Sequence, residues 1–499
     1  MKNCLQSNRR AFFHFCLLPS AFLLFLAGCN LAPHYQQPAV QTPPAFKETN
    51  GWKLAQPSDG VIKGRWWEMF NDPQLNVLEE QVAISNQNIV AAFENFVAAR
   101  AVVKEARSAY YPTVGVDPSF TKTRTSTTVG VASFGVPNSN AKNPQYSIYD
   151  LPISASWEPD LWGLVRNTVR ADVYAAQASA ATLENMRLTA QAELAVDYYA
   201  LRGQDQLLEL FTNTVKAYRG SLDLTTTLYQ TGIYSELNEA QADALLQTTL
   251  AQATALEIQR AQYEHAIALL VGQPASTFSL QASTATHPPP MVPVGLPSTL
   301  LERRPDVATA ERTAAAANAQ IGVARAAYFP TVSLTGTTGY ESTPLSQLFT
   351  PSSFFWSLGA SVSETIFDAG KRKAANEEAW ANFRAQAANY RQTVLTAFQQ
   401  VEDNLAALRV LSTELQQQDV AIKASQKNLD LSVEQFRDGV ASYLNVITAQ
   451  ELLLGNQQTA VTLRIQQMTD TVQLIMALGG GWNTSDLPAP GKLALKPSP

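Results

Sequence analysis

The chain has 499 residues, 46% of them hydrophobic and 16% charged, with 36 Lys and Arg against 42 Asp and Glu for a formal net charge of −6. That balance excludes a disordered chain and argues against nucleic acid as partner, because a phosphate-binding surface carries a basic excess. Three cysteines and four histidines, scattered along the sequence, leave little material for a metal centre, and no metal site is expected.

Lys2, Arg9 and Arg10 precede an apolar stretch from Ala11 to Leu26, which closes as Leu26-Ala27-Gly28-Cys29. A short apolar segment behind positive charge, ending in small residues, is a secretory signal and not a membrane span. Its ending resembles the bacterial lipobox. That resemblance implies a lipoprotein signal peptide over 1–28, acylation of Cys29 as the mature N-terminus, and this covalent lipid with no other cofactor. Asn30 is not the Asp that retains many such lipoproteins in the inner membrane, so the resemblance implies an outer-membrane address. Removal of Cys4 and Cys16 leaves no disulfide, although the compartment is oxidising.

Between Pro73 and Pro112 neither proline nor glycine occurs, and Leu75, Val82, Ile89, Phe96, Val103 and Tyr110 recur every seven residues beside a row of Leu78, Ser85, Ala92, Ala99 and Ala106. This large/small seam predicts helix in close coiled-coil packing. After Pro112 the period drops to two: Val114, Val116, Pro118 and Phe120 alternate with Gly115, Asp117, Ser119 and Thr121. A polar loop follows, from about Ser126 to Gln145. Tyr149, Leu151, Ile153, Ala155 and Trp157 then alternate with Asp150, Pro152, Ser154 and Ser156. No proline interrupts Pro159 to Pro274, and Gly232 has the setting of a C-cap glycine between two helices.

The pattern then repeats. Ala106–Val114 recurs as Ala324–Val332, 218 positions on, and Tyr229-Gln230-Thr231-Gly232 recurs as Phe436-Arg437-Asp438-Gly439, 207 positions on. Val332, Leu334 and Tyr340, then Phe354, Trp356, Leu358, Ala360 and Val362, form a second pair of alternating strands. From Lys371 to about Gln435 no glycine or proline occurs, enough for a helix of roughly 100 Å at ~1.5 Å per residue. The chain divides into a first repeat over 74–273, with a hairpin at about 113–158, a Pro-rich linker over 274–300, a second repeat over 301–480, with a hairpin at about 331–367, and a tail over 481–499.

Strands apolar on one face and small-polar on the other suit a membrane barrel, and Trp157 and Trp356 suit an interface belt. No later segment holds ~18 consecutive apolar residues, so any crossing must use strands. Four strands cannot close, and open edges are not tolerated in hydrocarbon, so copies must join: two give eight strands, three give twelve and room for a lumen. His34, His265 and His287 lie far apart, and nothing brings Glu158, Asp160 and Asp306 into one pocket. No phosphate loop or G-x-S-x-G turn is present, and no enzyme is expected.

The stretch from Leu296 through Glu302-Arg303-Arg304-Pro305-Asp306 to Pro330 resembles the signature of the NodT-type outer membrane efflux lipoproteins, the TolC-like outer membrane factors. Trp66-Trp67 with Phe70-Asn71-Asp72-Pro73, Trp157-Glu158-Pro159-Asp160-Leu161-Trp162-Gly163 and Ile366-Phe367-Asp368-Ala369-Gly370 fit as well. The resemblance implies a mainly helical fold with membrane strands: a homotrimer with a 12-stranded outer-membrane β-barrel continued by a 12-helix periplasmic α-barrel. It implies an equatorial region built from the N-terminal segment (29–73), the linker and the C-terminal tail. As function it implies a passive exit channel of a tripartite efflux system, with a periplasmic adaptor and an inner-membrane pump, commonly of the RND class, as partners, and outer-membrane lipid around it. By position, Leu444 and Thr448 match a constricting periplasmic tip, but Thr448 and Asn445 are uncharged where carboxylates are frequent. Other readings of the same elements are a non-channel periplasmic coiled-coil scaffold and an exit duct for protein secretion.

Overall fold

Asp72 opens the first helix by accepting from the Gln74 and Leu75 amides, with Pro73 at the first helical position. The computed structural model describes residues 30–48, 64–124, 145–285, 288–294 and 297–494; the signal segment, Cys29, most of the predicted polar loop and His287 lie outside these. Helix α1 (Pro73–Ser85) and α2 (Gln87–Ser108) replace the single helix expected before Pro112. The break is at Asn86, whose side chain caps α2 through the Asn88 and Ile89 amides and donates to the Leu270 carbonyl. The predicted seam survives the break: Leu75, Leu78, Val82, Ile89, Ala92 and Val103 are all buried.

Strands β1 (Thr113–Val116), β2 (Ser119–Arg124) and β3 (Gln145–Trp157) follow, then α3 (Leu164–Gln230) and α4 (Glu236–Leu270). The second half holds α5 (Pro297–Arg303), α6 (Pro305–Ala326), β4 (Thr331–Ser342), β5 (Phe354–Ser363), α7 (Lys371–Arg437) and α8 (Tyr443–Ala477). The duplication is metrical. Helices α2 and α6 have 22 residues each, α3 and α7 have 67, and α4 and α8 have 35. Gly232 and Gly439 adopt φ of +74° and +70° at the two hairpin turns, and in each the next amide reaches back to the helix (Ile233 to Leu228, Val440 to Gln435). Both are Schellman caps, the geometry that favours glycine.

Neighbouring helices run in the order α2, α3, α6, α7, and the strands attached to them pair in the order β1/β2, β3, β4, β5. Further from the sheet, α3 with α4 and α7 with α8 form two long hairpins. The C-terminus of α4 abuts the α1/α2 break, where Ser85 Oγ donates to the Val271 carbonyl, so α4 and α2 run on as one interrupted column. The end of α8 meets the start of α6 likewise. There Arg304 donates twice to Asp306 (2.9 and 2.6 Å), once to Gln400 and once to the Ala477 carbonyl at the end of α8. The Arg-Arg-Pro-Asp stretch is therefore a joint: Pro305 starts α6, and Arg304 ties it to α7 and α8.

These two joints mark the equator, where most of the core lies: Trp66, Trp67 and Phe70 stack edge-on beside Tyr198 and Tyr199 of α3, with Tyr390, Val394 and Val401 of α7 in the same cluster. The linker is pinned there by a buried network. Asp205 accepts from Arg202, Arg260 and the Ser283 amide, while Arg202 and Arg260 donate to the Gln281 and Leu280 carbonyls. Arg409, 207 positions after Arg202, holds the N-terminal segment through Glu48 at 2.7 Å. That segment is not confined to the equator. It descends α6 from Arg325 (bonded to the Leu31 carbonyl) past Asn318 (to Pro33) and Glu311 (to the Tyr35 hydroxyl), then crosses α7 to Glu402. The tail likewise departs from the equatorial placement that the resemblance implied. It leaves the equator after Gly481 and climbs α3, where Gln177 donates to the Pro488 carbonyl and Leu493 packs on Val103, Val169 and Val173. An apolar groove between α2 and α3 is what draws it.

Glu79 of α1 is fully buried and neither carboxyl oxygen has a hydrogen-bond partner. Desolvation pushes its pKa well above the ordinary 4.5. Above pH 4.5 the unfolded chain releases a proton that the folded chain keeps, so this group removes up to ~1.4 kcal/mol of stability per pH unit until its folded pKa is passed. Glu79→Leu should therefore raise the melting temperature more at pH 8 than at pH 5; thermal unfolding at the two pH values measures this, and an equal shift at both would show that Glu79 is solvated.

Candidate functional site: the sheet and the hairpin tips

The strand faces follow from register. Val114 lies opposite Ala155, Phe120 opposite Tyr149, Leu151 opposite Tyr340, Trp157 opposite Leu334, Val332 opposite Val362 and Tyr340 opposite Phe354. Directly opposed residues share a face, so all of these project from one side of the sheet. Ser154 and Thr337, Ser333 and Ser361, and Thr335 and Gly359 share the other. The predicted strand through Val114–Thr121 is interrupted at Asp117-Pro118, but β1 and β2 pair with β3 in one continuous register. Pro152, opposite Asp117, has no N–H to donate, and this breaks the ladder.

Trp157 ends β3 beside the helices, with its indole N–H on the Tyr110 carbonyl at 3.1 Å. Trp356 stands near the far end of β5, 67% exposed. The two candidate belt residues therefore mark opposite ends of the sheet's apolar face. On the polar face the described strands carry Asp117, Asp150 and Glu341 and no basic residue, and Asp150 lies opposite Glu341. Alternation placed Asp117 and Asp150 on this face, but Glu341 emerges from register alone.

At the base of the sheet two carboxylates start the two longest helices. Asp160 accepts from the Val165 and Arg166 amides and from Arg166 Nε, and Asp368 from the Gly370 and Arg372 amides and Arg372 Nε. Hydrogen bonds from Arg372 hold the Asp368 carboxyl below its ordinary pKa. Three consecutive basic residues follow, and they are split: Arg372 pairs with Asp368 and Glu364, while Lys371 and Lys373 face solvent. Asp160, Glu158 and Asp306 do not converge, since Asp160 caps α3, Glu158 is exposed and Asp306 is paired with Arg304 at the far end of α6.

At the other end of the molecule the two turns are fastened together. Tyr234 of the first stacks on Phe436 of the second (centroids 4.8 Å apart, 23° between planes), and its hydroxyl donates to the Phe436 carbonyl at 3.2 Å. Phe436 also packs on Tyr443, above a cluster of Val215, Tyr218, Leu245, Leu246, Val446 and Ile447. Leu444 and Thr448 lie on the opposite side of α8: Leu444 is 54% exposed, and Thr448 Oγ1 donates to the Leu444 carbonyl one turn back. Glu434, Asp438 and Glu451 are all solvent-facing at this end. The Tyr234–Phe436 contact was not read from sequence; the aromatic shared by the Tyr229 and Phe436 turn motifs was its one visible sign.

Residues 78–273 and 296–480 match the family model described as outer membrane efflux protein. The chain belongs to that family. It is 32% identical over 471 residues to the solvent efflux pump outer membrane protein SrpC of Pseudomonas putida, covering 94% of this chain and 98% of the relative. It is 29% identical to the cation efflux system protein CusC of Escherichia coli, covering 93% and 98%. Among solved structures it resembles the outer-membrane channel OprN (TM-score 0.83, 28% identity, 91% of this chain and 100% of that one) and the open state of the Neisseria gonorrhoeae MtrE outer membrane channel (TM-score 0.79, 25% identity, 91% and 99%). The mainly helical efflux-protein fold and the outer-membrane location expected from the sequence both stand.

Truncating the shared ring tests whether the tips act as one unit. Phe436→Ala should cost about 3 kcal/mol locally. Amide exchange should then accelerate together at Gly232–Tyr234 and Gly439–Ala441, with Tyr390–Leu405 unchanged; acceleration at only one turn would separate them.

Proposed function

We propose that this protein is the passive exit duct of a tripartite efflux system, formed by three copies whose sheets close into a 12-stranded barrel and whose helices continue it as a 12-helix tunnel. One observation carries the reading. A sheet of five strands in four lateral positions, β1 and β2 sharing one, is largely apolar on one face and small-polar on the other; it is joined to a helical layer in the same lateral order, and both layers end on the same two open flanks: α2 with β1/β2, and α7 with β5. Such a unit satisfies its backbone only in a ring, and closed rotational symmetry of a head-to-tail contact provides one. Two copies would leave an eight-stranded barrel filled by its own side chains, whereas twelve strands leave a lumen lined mostly by Ser, Thr and Gly, with the carboxylates of Asp117, Asp150 and Glu341 and, toward the end far from the helices, Tyr146, Ile148 and Phe355.

Nothing in this role requires chemistry. A periplasmic adaptor and an inner-membrane pump of the RND class are the partners that a duct without an energy source needs. The relatives' names point to solvents and cations as cargo classes, and small solutes suit the lumen better than folded protein. The scaffold alternative predicts no pore. Leu444 and Thr448, uncharged and projecting away from the packed side of the tip, are the proposed aperture residues.

Purified protein in planar bilayers should form a low-conductance closed state, and Leu444→Ala with Thr448→Ala should raise that conductance severalfold. Complete absence of conductance in both proteins would support the scaffold, and equal conductance would move the aperture elsewhere.

Cys29 is the proposed lipid attachment site, and membrane-interface anchoring by Trp157 and Trp356 is proposed with it. Leu31 lies beside Arg325, next to the point where the chain enters β4, so an acyl group two residues earlier is well placed to reach the same bilayer as the sheet. Cys29→Ala should abolish incorporation of labelled palmitate; label retained on the variant would place the lipid on another residue.

A further inference from the structure

Charge on the sheet is sorted by face. Asp117, Asp150 and Glu341 project to the small-polar side, whereas Lys122 and Arg124, the only cations of the described strands, project to the apolar side. Register fixes this. Phe120 lies opposite Tyr149 on the apolar face, and Lys122 opposite Ser147 and Arg124 opposite Gln145 continue that face by two and four residues. No carboxylate shares the face on any described strand.

A lysine or arginine in the middle of a lipid-facing band costs about 2–4 kcal/mol, but about 0–1 kcal/mol at either interface. Position along the strand is therefore decisive. Both cations lie at the end of the sheet far from the helices, just beyond a row of aromatic rings. Phe120 packs on Tyr149 with centroids 4.8 Å apart, and Tyr340 meets Phe349 and Phe354 at 5.7 and 5.8 Å. Such a row stands where hydrocarbon gives way to headgroups. The fold itself uses neither cation: both side chains are exposed, and neither has an ion pair or side-chain hydrogen bond among the described residues. At the base of the sheet, by contrast, Arg166 and Arg372 are paired with Asp160 and Asp368.

We infer that Lys122 and Arg124 bind a phosphate group of an anionic glycolipid in the outer leaflet. The inference rests on the reading of the sheet as part of a membrane barrel, in which the end far from the helices reaches the cell surface. Two residues apart on one face, the cations have Cα atoms about 7 Å apart, close enough for both to reach one phosphate. The lysine supplies a point charge and the arginine a planar fork that matches phosphate oxygens. Opposite them, the Ser147 hydroxyl and the Gln145 amide add neutral hydrogen-bonding groups suited to sugar hydroxyls, which a glycolipid carries beside its phosphate. With no carboxylate on this face to hold a bridging divalent cation, recognition is direct, cation to phosphate. Below the cations, Phe120 and Tyr149 begin the apolar surface against which the acyl chains lie.

Native mass spectrometry of the full-length protein in detergent, titrated with bisphosphorylated lipid A, tests the site. Lys122→Gln/Arg124→Gln should weaken binding about tenfold, and the charge-preserving Lys122→Arg/Arg124→Lys should stay within about twofold of the original protein. Lys371→Gln/Lys373→Gln, at the base of the sheet, should bind like the original. Dephosphorylated lipid A should not distinguish the original protein from the glutamine variant, and phosphatidylglycerol should bind the original about tenfold more weakly than lipid A. Equal binding of lipid A to the original and the glutamine variant, or a larger loss in the base variant, would overturn the site. Phosphatidylglycerol binding as tightly as lipid A would overturn the glycolipid as its ligand. Quenching of Trp356 fluorescence by brominated acyl chains, taken as the difference from Trp356→Phe, checks the barrel reading in the same samples. Quenching without phosphate-dependent binding would overturn this inference and leave the barrel; no quenching would overturn the barrel and the site with it.

Discussion

An amide or carbonyl in hydrocarbon has no water to fall back on, and each one left unpaired costs several kcal/mol. In the proposed membrane-spanning ring that constraint acts at two places, the outer edges of β1/β2 and of β5, because β3 and β4 are paired on both sides. A sheet with an apolar face and two open edges is not a finished membrane structure. Each strand also leads directly into a helix of the same lateral rank, so whatever closes the sheet closes the helical layer too. In the proposed ring the dimensions of the tunnel would then follow from the number of strands and not from any contact among the helices alone.

The helical part is made rigid by a different means. Two 67-residue helices carry no glycine cap or proline until their ends, except for Gly203 and Gly220 inside α3. At Gly203 a methyl group would stand 1.9 Å from Ile465 Cδ1, so glycine is what permits α3 and α8 to approach so closely. At the equator, where α4 gives way to α2 and α8 to α6, helix ends would leave carbonyls unpaired. Side chains fill these gaps: Ser85 and Asn86 at one joint, Arg304 at the other. Arg202 and Arg409 occupy equivalent positions in the two repeats, and one binds the linker while the other binds the N-terminal segment. Duplication preserved the cation and each half recruited its own strap. The Arg202–Asp205 pair is buried, whereas Arg409–Glu48 lies partly in solvent, where an ion pair contributes little to stability.

Much of this was legible in the residues. A seven-residue seam, a period of two after Pro112 and two offsets of 218 and 207 were enough to place the long helices, both hairpin turns and the apolar strand face, because each is a local consequence of backbone period and of Gly or Pro punctuation. The failures are equally specific. The Asn86 break was hidden because no Gly or Pro marks it; Asn86 caps the second helix and donates to the Leu270 carbonyl at the end of α4, a contact that only the fold brings about. The tail's climb along α3 was invisible because Leu493 becomes a core residue only once α2 and α3 lie side by side. Tyr234 and Phe436 meet across 202 residues, and the Asp150–Glu341 row across 191, which no periodicity reports.

Period and punctuation therefore decided what each segment is: its element type, its buried face and its repetition. Tertiary packing decided which segments meet, since strand register, the tip stack and the equatorial joints depend on distances between residues hundreds of positions apart. The physical reason is that backbone sterics and side-chain alternation act over a few residues, whereas hydrogen-bond closure and the filling of grooves are satisfied only by whatever surface the rest of the chain brings alongside.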